Sequence, residues 1–211
     1  MHLTCKDFAN LPTKPINSQM KKLTFTCFAL LFALSVAAQT GLKVGNVAPA
    51  FLGKDNAGKA ISLKALLKTN KAVVLFFYRG QWCPYCNKYI KQLQDSLVLL
   101  SNKGAYVVGV TPETGENISK TVEKTQASFS MIQDEGYQIM KAYDVNYVMD
   151  DALFAKYKTH GIDLEKNNGN TDHVLPVPAT YVIAKNGKIT YVQFDKDYRK
   201  RASIASILAV L

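Results

Sequence analysis

Ala72-Val73-Val74-Leu75-Phe76-Phe77-Tyr78-Arg79-Gly80-Gln81-Trp82-Cys83-Pro84-Tyr85-Cys86 is the stretch on which the reading of this chain turns. Residues 72–78 are apolar or aromatic without alternation, the pattern of a strand covered on both faces. Arg79-Gly80-Gln81-Trp82 interrupts the run. From Cys86 onward, Tyr89/Ile90, Leu93, Leu97 and Leu100 recur at helical spacing, which predicts a helix ending near Gly104. Ala105-Tyr106-Val107-Val108-Gly109-Val110 reads as a second strand. Residues 72–110 are therefore a strand–helix–strand unit, which requires a parallel pair and a right-handed crossover.

The flanks extend this unit into one domain. Residues 39–61 are extended and turn-rich, punctuated by Gly45, Pro49, Gly53 and Gly58, and Ser62 caps a short helix through Leu63, Leu66 and Leu67. Thr111-Pro112-Glu113 opens a polar helix to about Gln126, followed by a short strand over 129–132 and a helix from Glu135 to Tyr143. Residues 144–172 are mixed and polar with one helix around Asp151–Tyr157, an insertion on the scaffold. Asn186-Gly187 between the β-rich runs 179–184 and 188–192 is a hairpin signal. A last helix is expected from about Arg199 to Leu211, burying Ile204, Ile207, Leu208 and Leu211.

The N-terminus reads differently. Met20-Lys21-Lys22 is a positive n-region, Leu23 to Leu34 an apolar run, and Ser35-Val36-Ala37-Ala38 a small-residue cleavage site before Gln39. The run falls short of the ~20 residues that a spanning helix needs, so no stable membrane anchor is expected after cleavage. Residues 20–38 are thus expected to be a signal peptide, and 1–19 an upstream segment of a mis-assigned start. Residues 39–211 are the domain, exported to a periplasmic or extracellular setting. Cys5 and Cys27 are lost with the leader, leaving Cys83 and Cys86.

The 211 residues carry a formal charge of +10, but the lysines are spread and the one dense run is Lys196-Asp197-Tyr198-Arg199-Lys200-Arg201. That run reads as a solvated basic face, so no nucleic-acid partner is expected. Two cysteines three apart close too small a loop to stabilise a domain, so their value is reactivity. A sulfur at a helix N-terminus lies near free N–H groups and the positive end of the dipole, which lowers a thiol pKa from ~8.5 to about 3.5–7.5. Pro84 suits the first helical turn. Cys86 shares the stripe of Ile90, Leu93 and Leu97 and is expected to be the more buried resolving thiol, with Cys83 outermost beside Trp82 and attacking. Zinc requires four ligands, and only His160 and His173 would join the pair. Haem attachment requires His where Asn87 stands. No metal or cofactor is therefore expected.

The stretch Phe76-Phe77-Tyr78-Arg79-Gly80-Gln81-Trp82-Cys83-Pro84-Tyr85-Cys86 resembles the peroxiredoxin-like branch of the thioredoxin superfamily, the alkyl hydroperoxide reductase/thiol-specific antioxidant group. Val44-Gly45-Asn46-Val47-Ala48-Pro49-Ala50-Phe51 resembles its opening motif, and Val177-Pro178-Ala179-Thr180-Tyr181-Val182-Ile183 its cis-proline segment facing the dithiol. The resemblance implies an α/β, thioredoxin-like fold with a central mixed sheet and helices on both faces. It implies an antioxidant thiol peroxidase that reduces hydroperoxides through a Cys83–Cys86 redox disulfide and is regenerated by a thioredoxin-like dithiol donor. It also implies a cis Pro178. Two departures stand out. In the family's register Cys86 would be the attacking cysteine, which puts Cys83 where its threonine belongs, and Pro178 takes the place of its arginine. Arg79 is then either the substitute cation or a surface arginine. Two alternatives remain at this level: a protein thiol–disulfide oxidoreductase acting on protein disulfides, and a binding module with an inert disulfide.

Overall fold

The computed structural model describes residues 40–211. The expectations for 1–19 and 20–38, with Cys5, Cys27 and the cleavage before Gln39, lie outside the described residues. Chain order is β1 (Leu52–Lys54), β2 (Ala60–Ser62), α1 (Leu63–Thr69), β3 (Ala72–Phe77), α2 (Pro84–Asp95), α3 (Leu97–Asn102), β4 (Ala105–Thr111) and α4 (Gly115–Thr125). There follow β5 (Ser130–Gln133), a single 3-10 turn (Glu135–Tyr137), α5 (Gln138–Ala142), β6 (Asn146–Val148), α6 (Asp151–Thr159), α7 (Leu164–Asn168), β7 (Val174–Pro176), β8 (Ala179–Ala184), β9 (Ile189–Phe194) and α8 (Ile204–Ala209).

The central sheet has the order β5-β4-β3-β8-β9. β3, β4 and β5 run parallel, whereas β8 and β9 are antiparallel to their neighbours. β3 lies in the middle and every one of its residues is buried, as its unbroken apolar run requires. The strand period of two sends Val73, Leu75 and Phe77 to one face, where Leu63, Leu66, Ile139 and Met140 cover them. Val74, Phe76 and Tyr78 go to the other, beneath Tyr89, Ile90, Leu93, Leu100, Ile118 and Ile207. The fold is α/β and thioredoxin-like, a mixed sheet with helices on both faces. No helix among the described residues is long and apolar enough to cross a membrane.

Several boundaries differ from the sequence expectation. The helix predicted to run to Gly104 stops at Asp95 and restarts at Leu97, because Ser96 leaves helical geometry at φ −101°, ψ 5°. The segment expected as one helix over 135–143 begins as a 3-10 turn, since Gly136 and Tyr137 both have positive φ (71° and 63°). The insertion at 144–172 is bracketed by paired strands β6 and β7 and carries a small core of Met149, Leu164 and Leu175. The last helix begins at Ile204, not Arg199, because Tyr198–Arg199 form a turn, with Lys200 N–H donating to Asp197 C=O at 3.0 Å, and the helix is capped only at Ser203, whose side chain accepts from Ser206 N–H at 3.0 Å.

Gly109 is the tightest point of the sheet. A Cβ there would meet Phe76 Cζ at 2.7 Å. The Phe76 ring is held edge-on by Tyr89 and Phe129, each with ring centroids 5.8 Å away. Gly109→Ala should therefore destabilise the domain by about 1–3 kcal/mol through overpacking. Urea unfolding with an unchanged slope and a lower midpoint is the expected result; an unchanged midpoint would show that the ring has room to yield.

Candidate active site

β3 ends at Phe77 and the chain crosses Tyr78 to Gln81 before α2 begins. Gly80 makes this turn possible: its φ is +155°, and a Cβ on it would lie 2.5 Å from both Glu113 Oε1 and Trp82 Nε1. Cys83 N–H donates to Gly80 C=O at 3.0 Å, which sets Cys83 as the N-cap of α2 with Pro84 in its first turn. Cys86 N–H then points at Cys83 Sγ, 3.4 Å away. The helix thus offers its free N–H groups to this sulfur.

Both cysteines are free thiols and both are buried, with 0% exposure at Cys83 and 1% at Cys86. The expectation that Cys83 stands outermost is corrected: Arg79 lies over it. Nη2 of Arg79 donates to Cys83 Sγ at 3.3 Å, and Nη1 donates to Tyr157 Oη at 2.8 Å. The guanidinium carbon sits 3.8 Å from the Tyr198 ring centroid and 5.0 Å from that of Trp82. Arg79 is 3% exposed, so the surface reading of this residue does not describe it.

These contacts separate the two thiols. Hydrogen bonding from Cys86, opposed by burial and reinforced by the Arg79 charge, holds Cys83 down at about 5. Burial, then the neighbouring Cys83, pushes Cys86 well above the ordinary thiol range. Burial works against the charge on Arg79, but Cys83 beside it holds the guanidinium above its usual range. The same surroundings therefore drive the two thiols apart, Cys83 down and Cys86 up.

Four further groups escaped the sequence reading. Glu113, at the carboxyl end of β4, is fully buried, and its two oxygens both accept Gln81 N–H at 2.8 Å. Burial pushes it up to about 8 despite that bond. Its sequence signal was positional: sites in α/β sheets form outside the carboxyl ends of the strands. Tyr157 comes from α6 of the insertion, which brings it to Arg79 while the insertion's small core packs on Trp82. Tyr198 and Arg201 come from the basic run. Nη2 of Arg201 donates to Cys86 Sγ at 3.5 Å.

Trp82 Nε1 is buried without a hydrogen-bond partner. Pro84 and Pro178 line a cleft of 720 Å³ over Arg79 and Trp82, with Tyr85, Tyr147, Tyr157 and Tyr198 among its walls. The Val177–Pro178 bond is trans, so the expectation of a cis proline is corrected. The bond follows the ordinary X-Pro preference for trans, and Val177 N–H donates to Val145 C=O at 2.6 Å. Neither histidine bonds a cysteine: His160, on the wall of the same cleft, has Nδ1 at 2.7 Å from Lys156 C=O, and His173 Nε2 meets Glu165 at 3.2 Å.

The chain matches the AhpC/TSA family over residues 44–192. It is 27% identical over 180 residues to chloroplastic peroxiredoxin Q of Triticum aestivum, covering 83% of this chain and 71% of that one. To the Populus jackii peroxiredoxin Q it is 32% identical over 143 residues, covering 64% and 66%. Among solved structures, peroxidoxin BcpB from Mycobacterium tuberculosis has the same fold at TM-score 0.62, with 20% identity and coverage of 80% and 96%. The thioredoxin domain of a thiol-disulfide oxidoreductase from Bacteroides vulgatus is more distant in fold, at TM-score 0.51, 20% identity and coverage of 75% and 93%. A match over this much of the chain shows that it belongs to the AhpC/TSA family and is a peroxiredoxin-like thiol peroxidase.

Proposed function

We propose that Cys83 is the attacking thiol and Cys86 the resolving one. The observation that carries this assignment is the guanidinium of Arg79 at 3.3 Å from the sulfur that caps α2. The Cys83 thiolate attacks the terminal oxygen of a hydroperoxide. The O–O bond breaks, Cys83 becomes a sulfenic acid, and the alcohol or water leaves after taking up a proton. Arg79, which faces both the sulfur and the cleft, stabilises the negative charge that moves to the departing oxygen. Cys86 then attacks the Cys83 sulfur, hydroxide leaves as water, and the Cys83–Cys86 disulfide forms. A thioredoxin-like dithiol donor returns the pair to the reduced state by exchange. This register leaves the family's threonine position out of play: Cys83, which occupies it in the other register, is itself the nucleophile.

The cleft supports an organic hydroperoxide in preference to the smallest one. A volume of 720 Å³ walled by Trp82 and four tyrosines is far more than hydrogen peroxide fills. Met20-Lys21-Lys22 and the apolar run after it support export of the enzyme to a periplasmic or extracellular compartment.

Trp82, the chain's one tryptophan, adjoins Cys83 and reports its oxidation by fluorescence. In stopped flow, the reduced protein should react with an organic hydroperoxide orders of magnitude faster than free cysteine does, and faster than with a small disulfide. Slow peroxide oxidation with rapid disulfide exchange would make this a protein thiol–disulfide oxidoreductase instead. Slow reaction with both would leave the inert-disulfide binding module.

Arg79→Met keeps the side chain's length and removes its charge. The peroxide reaction at neutral pH should slow by about 10- to 100-fold, as loss of a hydrogen bond to a charged group implies, and should recover partly as pH is raised and the thiolate fraction returns. A rate equal to that of the parent would remove Arg79 from the mechanism.

A further inference from the structure

The basic run at 196–201 does more than face solvent. Its backbone leaves β9, turns at Asp195 and Asp197, and approaches α2 from outside before α8 begins. Asp197 accepts from Arg199 and Asp195 pairs with Lys200, so these four charges of the turn neutralise one another locally. Arg201 has no carboxylate partner among these pairs. Its Nη1 donates to the carbonyls of Tyr198 and Lys200, its Nε is buried with no partner, and its Nη2 reaches Cys86 Sγ at 3.5 Å. The fork is fixed by the backbone of its own turn and delivered to a sulfur 115 residues away in sequence. Tyr198, whose carbonyl holds Arg201, also lays its ring on Arg79.

We propose that Arg201 is a catalytic residue of the resolving half-reaction, the cation that stabilises the Cys86 thiolate both as it attacks the Cys83 sulfenic acid and as it leaves when the disulfide is reduced. The inference rests on the assignment of Cys83 as the attacking thiol. In resolution, the Cys86 sulfur lone pair forms the S–S bond, the S–O bond of Cys83 breaks, and the oxygen leaves as hydroxide and is protonated to water. Cys86 is oxidised and the sulfenic sulfur reduced. In regeneration, the donor dithiol's thiolate attacks Cys83 and the S–S bond breaks. Cys86 departs with the electron pair, and the donor's second thiol completes the exchange.

The need for such a cation follows from the surroundings of Cys86. The thiol is buried on the α2 stripe against Tyr78 from the end of β3 and Tyr89 of α2, itself bonded to Thr180 of β8 at 3.0 Å. The charged and titratable groups acting on it are Cys83, Arg201 and Arg79, the last also through a backbone hydrogen bond, with Tyr78 adjacent and Glu113 acting on Tyr78. Once Cys83 is a neutral sulfenic acid or half of a disulfide, Arg79 has lost its anion but still belongs to Cys83. Arg201 is the guanidinium whose hydrogen bond goes to Cys86 itself.

The test is a pre-steady-state comparison of the full chain with Arg201→Met and Arg201→Lys, using a limiting pulse of hydroperoxide and Trp82 fluorescence. The oxidation phase is separated from the resolution phase by trapping sulfenic acid with dimedone. The proposal expects the Met variant to slow resolution relative to oxidation by about tenfold or more. The pH midpoint of the resolving phase should move upward, and peroxide excess should drive more Cys83 to sulfinic acid. The Lys variant, retaining charge without the fork, should fall between the two. Unchanged resolution and unchanged sulfinic acid in both variants would overturn the proposal and leave the Cys83 assignment intact. A slowed oxidation phase with normal resolution would instead identify Cys86 as the attacking thiol, and both readings would fall together.

Discussion

A buried guanidinium needs an anion, and a buried thiol gives up its proton near neutral pH only where donors and a cation hold the charge. Arg79 and Cys83 meet both needs at once, and the rest of the site is arranged to keep them in contact. β3 brings the chain to the right end of the sheet and Gly80 turns it. α2 places its first N–H groups on the sulfur, while Tyr157, Trp82 and Tyr198 enclose the guanidinium on the sides the sulfur does not occupy. Separating two charges already buried this way would cost several kcal/mol, which is why the aromatic enclosure matters as much as the cation itself.

The enclosure is built from three distant parts of the chain. Residues 79–82 supply the cation and the tryptophan, the insertion at 144–172 supplies Tyr157, and the segment after β9 supplies Tyr198. The insertion's strands and small core set α6 against Trp82, so a polar stretch with little core of its own becomes one wall of the cleft over Arg79. Glu113 closes the rear by accepting Gln81 N–H with both oxygens. Burial pushes it up to about 8, which reduces the negative charge it holds beside Cys83 near neutral pH.

Much of this was legible in the residues. The unbroken run 72–78 identified the central strand, the Cys83-Pro84-Tyr85-Cys86 spacing the helix-capping dithiol, and Asn186-Gly187 the β8–β9 hairpin. Helix ends were less legible, because Ser96 and Gly136-Tyr137 break patterns whose apolar spacing continues past them. The largest gap concerned charge. Arg201 sits in a run of solvated residues with no local mark distinguishing it from Arg199, and its role comes from where the chain after β9 returns to α2. The burial of Cys83 was illegible for the same reason, since Tyr157 and Tyr198 cover Arg79 from 78 and more than a hundred residues away. The trans Pro178 shows the converse: a motif can be shared while its backbone follows the ordinary preference.

The claim at the centre of this account is that Cys83, and not Cys86, is a thiolate in the resting reduced enzyme. Brief alkylation of the reduced protein with iodoacetamide across a pH series, with the modified cysteine identified by peptide mass spectrometry, measures it directly. The account predicts that Cys83 is labelled with a midpoint near pH 5, while Cys86 stays unlabelled through neutrality. Labelling of Cys83 with a midpoint at or above about 8, the range of a free thiol, or labelling of Cys86 first, would contradict it.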